Sequence, residues 1–230
     1  MILKGLQKTT LIDFPGHVAC TVFTQNCNFR CHFCHNPELA FPNNPAPDYA
    51  VEDFFEFLQS RKGLLEGVCI TGGEPTLYAD LPEFIERIKK LGFKVKLDSN
   101  GTNPEMLKSL LESKLVDYVA MDIKNSAEKY AETVGLTKLD LDKIKESIAL
   151  LKESNIPYEF RTTIVPGLHT VESLRGVGEL IKGAPSFTLQ NFRKGKTLDP
   201  TYADKPSFLP EELAELKKVM EEYVEMVEVR

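Results

Sequence analysis

Gly67-Val68-Cys69-Ile70-Thr71, then Leu81 to Leu91, then Phe93-Lys94-Val95-Lys96-Leu97-Asp98 set the pattern of this chain. A short β-branched run, an amphipathic stretch and a second short run read as strand, helix and strand, with Gly92 punctuating the second step. The alternation continues downstream. Pro104 suits the first turn of a helix running through Leu115, and Val116 to Ile123 reads as the next strand. Leu141 to Ser154 reads as helix, Tyr158 to Val165 as a strand closed by Pro166-Gly167, and Val171 to Ile181 as helix. Phe187 to Gln190 then reads as strand and Glu211 to Tyr223 as the last helix. Upstream, His17 to Phe23 reads as the first buried strand. A proline-rich connector, Asn43 to Pro47, leads to a helix capped by Asp48, with Val51, Phe54, Phe55 and Leu58 at helical spacing. The residues before His17 read as a polar start, and those after Tyr223 as a short apolar tail.

Six strands alternating with helices imply parallel pairing through right-handed crossovers. The length of 230 residues suits six such units better than a complete eight-unit barrel, which takes about 250 residues. The expected class is therefore α/β, a doubly wound sheet or a partly closed barrel, in one domain covering residues 1–230. Either architecture collects ligands at the carboxyl ends of its strands.

Composition narrows the function. At 42% hydrophobic residues the chain can build a core without crosslinks. A net charge of −6 argues against a nucleic acid as main partner, since such binding rests on a surplus of Lys and Arg. No apolar segment reaches the roughly 18 residues of a membrane span. A cytoplasmic protein with no membrane partner is expected, and in that compartment clustered cysteines are ligands or redox groups rather than bridges.

The cysteines are Cys20, Cys27, Cys31, Cys34 and Cys69. Cys20 and Cys69 each sit alone on an apolar strand and read as small hydrophobes. Cys27, Cys31 and Cys34 fall within eight residues of a loop, spaced Cys-x3-Cys-x2-Cys, where there is little core to fill. Structural zinc with His32 or His35 as fourth ligand is one reading, but such sites usually join two close pairs, and no second pair exists. Cys31-His32-Phe33-Cys34-His35 formally matches a haem attachment signature, yet that reading leaves Cys27 unexplained. The favoured reading is an iron-sulfur cluster on three thiolates, with one iron left for another ligand.

Other chemistry-bearing residues fall at strand ends. Gly72 and Gly73 let backbone approach a ligand, and Glu74 offers a partner for an ammonium group. Asp98 and Asp122 would lie at neighbouring strand ends, suited to ribose hydroxyls or a cation. Lys124 and Arg161 could pair with a carboxylate. Asn100, beside Gly101, fits a turn, and Gln190 adds a possible hydrogen bond at the sixth strand. His17 and His169 are assigned no role.

Together, Cys27-x3-Cys31-x2-Cys34 with Phe33, followed by Gly72-Gly73-Glu74-Pro75, resembles the radical S-adenosylmethionine superfamily. Leu11 to Gly16, Cys34-His35-Asn36-Pro37, Asp98-Ser99-Asn100-Gly101 and Asp122-Ile123-Lys124 resemble glycyl-radical-enzyme activases, most of all those of anaerobic ribonucleoside-triphosphate reductase, with pyruvate formate-lyase activases next. The resemblance implies a partial (β/α)6 barrel. It also implies a 4Fe-4S cluster on Cys27, Cys31 and Cys34, with S-adenosylmethionine on its open iron. Backbone from Phe33 to His35 would contact the adenine, and Gly72 and Gly73 the methionine amino group. Glu74, Asp98, Asn100, Asp122, Lys124, Arg161 and Gln190 would complete the cofactor site. The implied reaction is reductive cleavage of the cofactor and installation of a glycyl radical on a partner enzyme, fed by an external reductant such as flavodoxin or ferredoxin. A radical enzyme acting on a small molecule or peptide, and a zinc-binding interaction module, are the alternatives.

Overall fold

The computed structural model of the chain describes residues 1–41 and 47–230. One sheet of eight strands, in sequence order, runs through them: β1 Leu3–Thr10, β2 Ala19–Thr24, β3 Gly67–Gly72, β4 Lys94–Ser99, β5 Tyr118–Asp122, β6 Tyr158–Ile164, β7 Phe187–Asn191 and β8 Val227–Val229. β1 pairs antiparallel with β2, and every later neighbour is parallel. The sheet is open, with β1 and β8 as its two edges. Six expected strands correspond to β2 to β7, and two were missed. β1 is a half-exposed edge strand whose Lys4, Gln7, Lys8 and Thr9 carry no hydrophobic alternation. β8 has three residues, too few for a periodic signal.

Helices fill the connections between parallel strands. Val51–Ser60, Leu81–Lys90, Pro104–Glu112, Leu141–Glu153, Val171–Ile181 and Pro210–Glu221 lie within two or three residues of the expected bounds. Asp48 does not cap the first of these. Ala50 occupies that position and Asp48 instead pairs with Lys4 of β1. Asn103 caps Pro104–Glu112 by accepting from the Met106 N–H, and Thr170 forms a capping box with Ser173. The connector Asn43 to Pro47 lies, except for Pro47, outside the described residues.

Strand alternation gives the sheet two unlike faces. Val95 and Leu97 of β4, Val119 and Met121 of β5 and Phe160 of β6 are fully buried, apolar and on one face, where the helices cover them. The residues between them, Lys96, Asp98, Asp122, Glu159 and Arg161, point to the other. The register keeps them in a row, with Asp98 beside Ala120 and Asp122 beside Arg161. The carboxyl ends of β2 to β7 thus surround a polar interior. Beneath the helices, Phe54 stacks on Phe84 at 5.4 Å and meets Phe55 edge-on at 5.3 Å. Phe54→Ala should cost about 3–5 kcal/mol in denaturant unfolding; a loss below about 1 kcal/mol would contradict this account of the packing.

Candidate functional site

The cysteine loop begins where β2 ends, and its entry is fixed by backbone contacts with β3. Gly73 N–H donates to the Thr24 carbonyl at 2.9 Å, and Glu74 N–H to that of Asn26 at 2.7 Å. Such closeness needs glycine: a Cβ on Gly73 would fall 2.0 Å from the Asn26 oxygen, and one on Gly72 2.4 Å from the Thr24 backbone. The glycine pair therefore makes room for the cysteine loop itself. Asn26 turns the chain in the left-handed region at φ 68°, a conformation Asn tolerates. Further along, Arg30 N–H donates to the Val134 carbonyl at 2.8 Å, while Leu198 and Asp199 N–H donate to the carbonyls of Cys34 and His32.

Glu74 does not stand free for an ammonium. Its carboxylate is 1% exposed and accepts from Thr76 N–H at 3.1 Å, Ser99 Oγ at 2.9 Å, Asn100 N–H at 2.6 Å and the Thr76 hydroxyl. Burial pushes its pKa up against these four donors. It works as a bracket between the ends of β3 and β4.

The charged residues form one chain of ion pairs. Lys96 pairs with Asp98, and Asp98 with Arg161 at 3.2 Å. Arg161 also pairs with Asp122 at 3.0 Å, and Asp122 with Lys124 at 2.8 Å. Burial alone would raise the Asp122 pKa, but Lys124 and Arg161 more than offset it and hold the carboxyl down to about 2. Asp98 is lowered likewise, burial being outweighed by Arg161 and Lys96. Cys69, expected as a mere hydrophobe, is buried with its Sγ 3.8 Å from Asp98 and 3.9 Å from Lys96.

A cleft opens between these parts. Cys27, Cys31, Phe33, Cys34, His35, Gly72, Gly73, Glu74, Asp98, Asn100, Asp122, Lys124 and Arg161 all line it. Gln190 does not. Its Oε1 accepts from Thr163 Oγ1 at 3.3 Å, and it is Thr163 that reaches the cleft. Thr163 lies two residues after Arg161, so strand periodicity alone would have found it. The His35 ring stacks on Phe192 at 4.9 Å and its Nδ1 donates to the Lys196 carbonyl. His169, given no role from sequence, is 1% exposed with both nitrogens engaged: Nδ1 accepts from Val165 N–H at 3.0 Å and Nε2 donates to the Lys124 carbonyl at 2.8 Å. It also meets the Phe33 ring edge-on. No local sequence signal marks it.

Cys27, Cys31 and Cys34 are free thiols. Burial pushes the first two up to about 11 and about 12, so coordination has to release their protons. Among the described residues no three His, Cys, Asp or Glu side chains are placed to hold one metal ion. A four-iron cluster takes its thiolates on separate irons and needs no such convergence. Three thiols on one loop, facing one cleft, fit that group.

The chain belongs to the radical SAM superfamily: residues 21–181 match that family. It is a radical SAM enzyme, and the superfamily's cofactors are a 4Fe-4S cluster and S-adenosylmethionine. A Methanocaldococcus jannaschii protein with the provisional name glycyl-radical enzyme activating enzyme is 32% identical across all of this chain and 95% of its own length. The pyruvate formate-lyase-activating enzyme of Staphylococcus epidermidis is 27% identical over 78% of this chain and 74% of its own. The fold is shared with Streptococcus suis SuiB bound to S-adenosylmethionine, at TM-score 0.63 and 16% identity, covering 90% of this chain and 48% of that one.

Two outcomes test this construction. Gly73→Ala should lower stability by more than about 2 kcal/mol, whereas Gly5→Ala, whose Cβ would meet nothing nearer than 3.8 Å, should stay within about 0.5 kcal/mol. Equal urea midpoints would contradict the close approach. The depressed carboxyls also set an acid dependence. Their folded values lie below the unfolded ones, so their stability is complete above about pH 4 and is lost as pH falls toward 2. Urea midpoints should decline across that window and less steeply in Asp122→Asn; the same slope in both proteins would contradict the pairing.

Proposed function

We propose that this chain activates a glycyl radical enzyme, using a 4Fe-4S cluster on Cys27, Cys31 and Cys34. One observation carries the reading: a single cleft gathers three thiols of one loop with the paired charges at the ends of β4, β5 and β6. Similarity along the whole chain to a protein named for glycyl radical enzyme activation supports it. With cluster and S-adenosylmethionine bound, reductive cleavage of the sulfonium supplies methionine and a 5′-deoxyadenosyl radical, which takes hydrogen from a glycine of the partner.

The protein's own residues bind and orient. Arg161 and Lys124 line the cleft, held in place by Asp98 and Asp122, and their cationic donors suit the carboxylate of a zwitterionic ligand. The polypeptide at Gly72 and Gly73 offers the ligand backbone without side chains. Phe33 and His35 present ring surface at the cleft wall, His35 steadied by Phe192 and Phe33 by His169. Asn100 lines the cleft beside Cys27, and Gln190 acts through Thr163.

The cleft opens to solvent, which suits a glycine presented by a protein. Anaerobic ribonucleoside-triphosphate reductase is the partner that the sequence motifs favour. A pyruvate formate-lyase-type partner is the second reading, favoured by the Staphylococcus epidermidis relative. Cys20 and Cys69 lie buried and apart from the loop, so electrons for the cluster come from a carrier such as flavodoxin or ferredoxin. The test is anaerobic co-incubation of the reduced protein and S-adenosylmethionine with each candidate reductase or lyase. Electron paramagnetic resonance should record a glycyl radical on one of them, absent with Cys31→Ala. Silence with both enzyme classes, from a protein that still cleaves the cofactor, would favour a small-molecule or peptide substrate.

A further inference from the structure

The Asn100 side chain is held in one orientation. Its Oδ1 accepts from the Thr102 backbone N–H at 3.1 Å and from Thr102 Oγ1 at 2.7 Å. Two donors demand an oxygen there, which assigns the amide without ambiguity. Nδ2 therefore has two protons to place, and two acceptors face it: Asn28 Oδ1 at 2.8 Å and Cys27 Sγ at 3.9 Å. Asn28 Nδ2 donates in turn to Thr102 Oγ1 at 2.8 Å, closing a ring of three side chains. Asn100 is 5% exposed, and its own N–H is fixed by Glu74. It cannot swing away without breaking four contacts.

Cys27 Sγ also accepts from the Phe29 backbone N–H at 3.3 Å. Among the described residues, Cys27 is thus the loop cysteine whose sulfur has two donors. A donor aimed at a ligating sulfur draws charge from it and stabilises the more negative, reduced cluster; hydrogen bonds to sulfur are a main lever on cluster potential. Contacts to an ionised acceptor are about twice as strong as neutral ones, so the Asn100 contact strengthens when Cys27 gives up its proton.

We propose that Asn100 tunes the cluster: its amide proton, directed at Cys27 Sγ by the ring with Asn28 and Thr102, makes Cys27 the electronically distinct ligand and raises the reduction potential. Asn100 acts through Cys27 and is a positioning residue. The inference rests on the cluster reading above, and the same experiment separates the two.

Full-length protein, wild type, Asn100→Ser and Asn100→Asp, is purified anaerobically and titrated redox-wise without S-adenosylmethionine, reading the reduced cluster by electron paramagnetic resonance. Iron and sulfide should be equal in all three. The midpoint should move negative in Asn100→Ser by about a tenfold change in the one-electron equilibrium, ~59 mV, and further in Asn100→Asp, where an anion replaces the donor. A loaded cluster whose midpoint is unmoved in both variants, or moves positive, overturns the proposal alone. Folded Asn100→Ser protein without iron also overturns it, because a tuning contact is dispensable for assembly. Wild-type protein without iron or sulfide overturns both readings.

Discussion

One buried carboxylate, that of Glu74, holds together the segments that meet above the sheet. Its side chain takes donors from the ends of β3 and β4, while its backbone N–H holds the Asn26 carbonyl at the start of the cysteine loop. A carboxylate this deep is tolerated only because its oxygens are fully engaged, and removing it would orphan Ser99, Thr76 and the Asn100 N–H together. Gly72 and Gly73 belong to the same device. They leave the Thr24 to Asn26 backbone the space to reach the bracket. The position of Cys27, and of Asn100 beside it, follows from these contacts.

The second constraint is electrostatic. The inner face of the sheet carries Lys96, Asp98, Asp122 and Arg161 where an ordinary barrel would carry aliphatic side chains, and the strand register alternates their signs. Each charge answers another, along its own strand or across to a neighbouring one, so the row tolerates burial that none of its members would tolerate alone. The apolar face, from Val95 to Phe160, supplies the stability that lets the other face remain polar.

The fold was legible where burial imposes a period. β2 to β7 and the long helices carry runs of Val, Ile, Leu and Phe at spacings of two or of three and four, and their bounds followed. β1 was not legible, because an edge strand buries only its ends and spends its outer positions on Lys, Gln and Thr. The cysteine loop announced itself by spacing, and the strand-end charges by interrupting apolar strands. Glu74 was visible as a residue but not as a bracket: its donors Ser99 and Asn100 lie about 25 positions away, and no local pattern encodes that meeting. His169 and the ring of Asn28, Asn100 and Thr102 are tertiary in the same sense.

The central claim is that the thiol loop and the charged row make one site for a cluster and S-adenosylmethionine. The most direct measurement is 5′-deoxyadenosine released when anaerobically purified, dithionite-reduced protein is incubated with S-adenosylmethionine. The account predicts 5′-deoxyadenosine and methionine in equal amounts. A protein with an intact reduced cluster that leaves the cofactor uncleaved would contradict it.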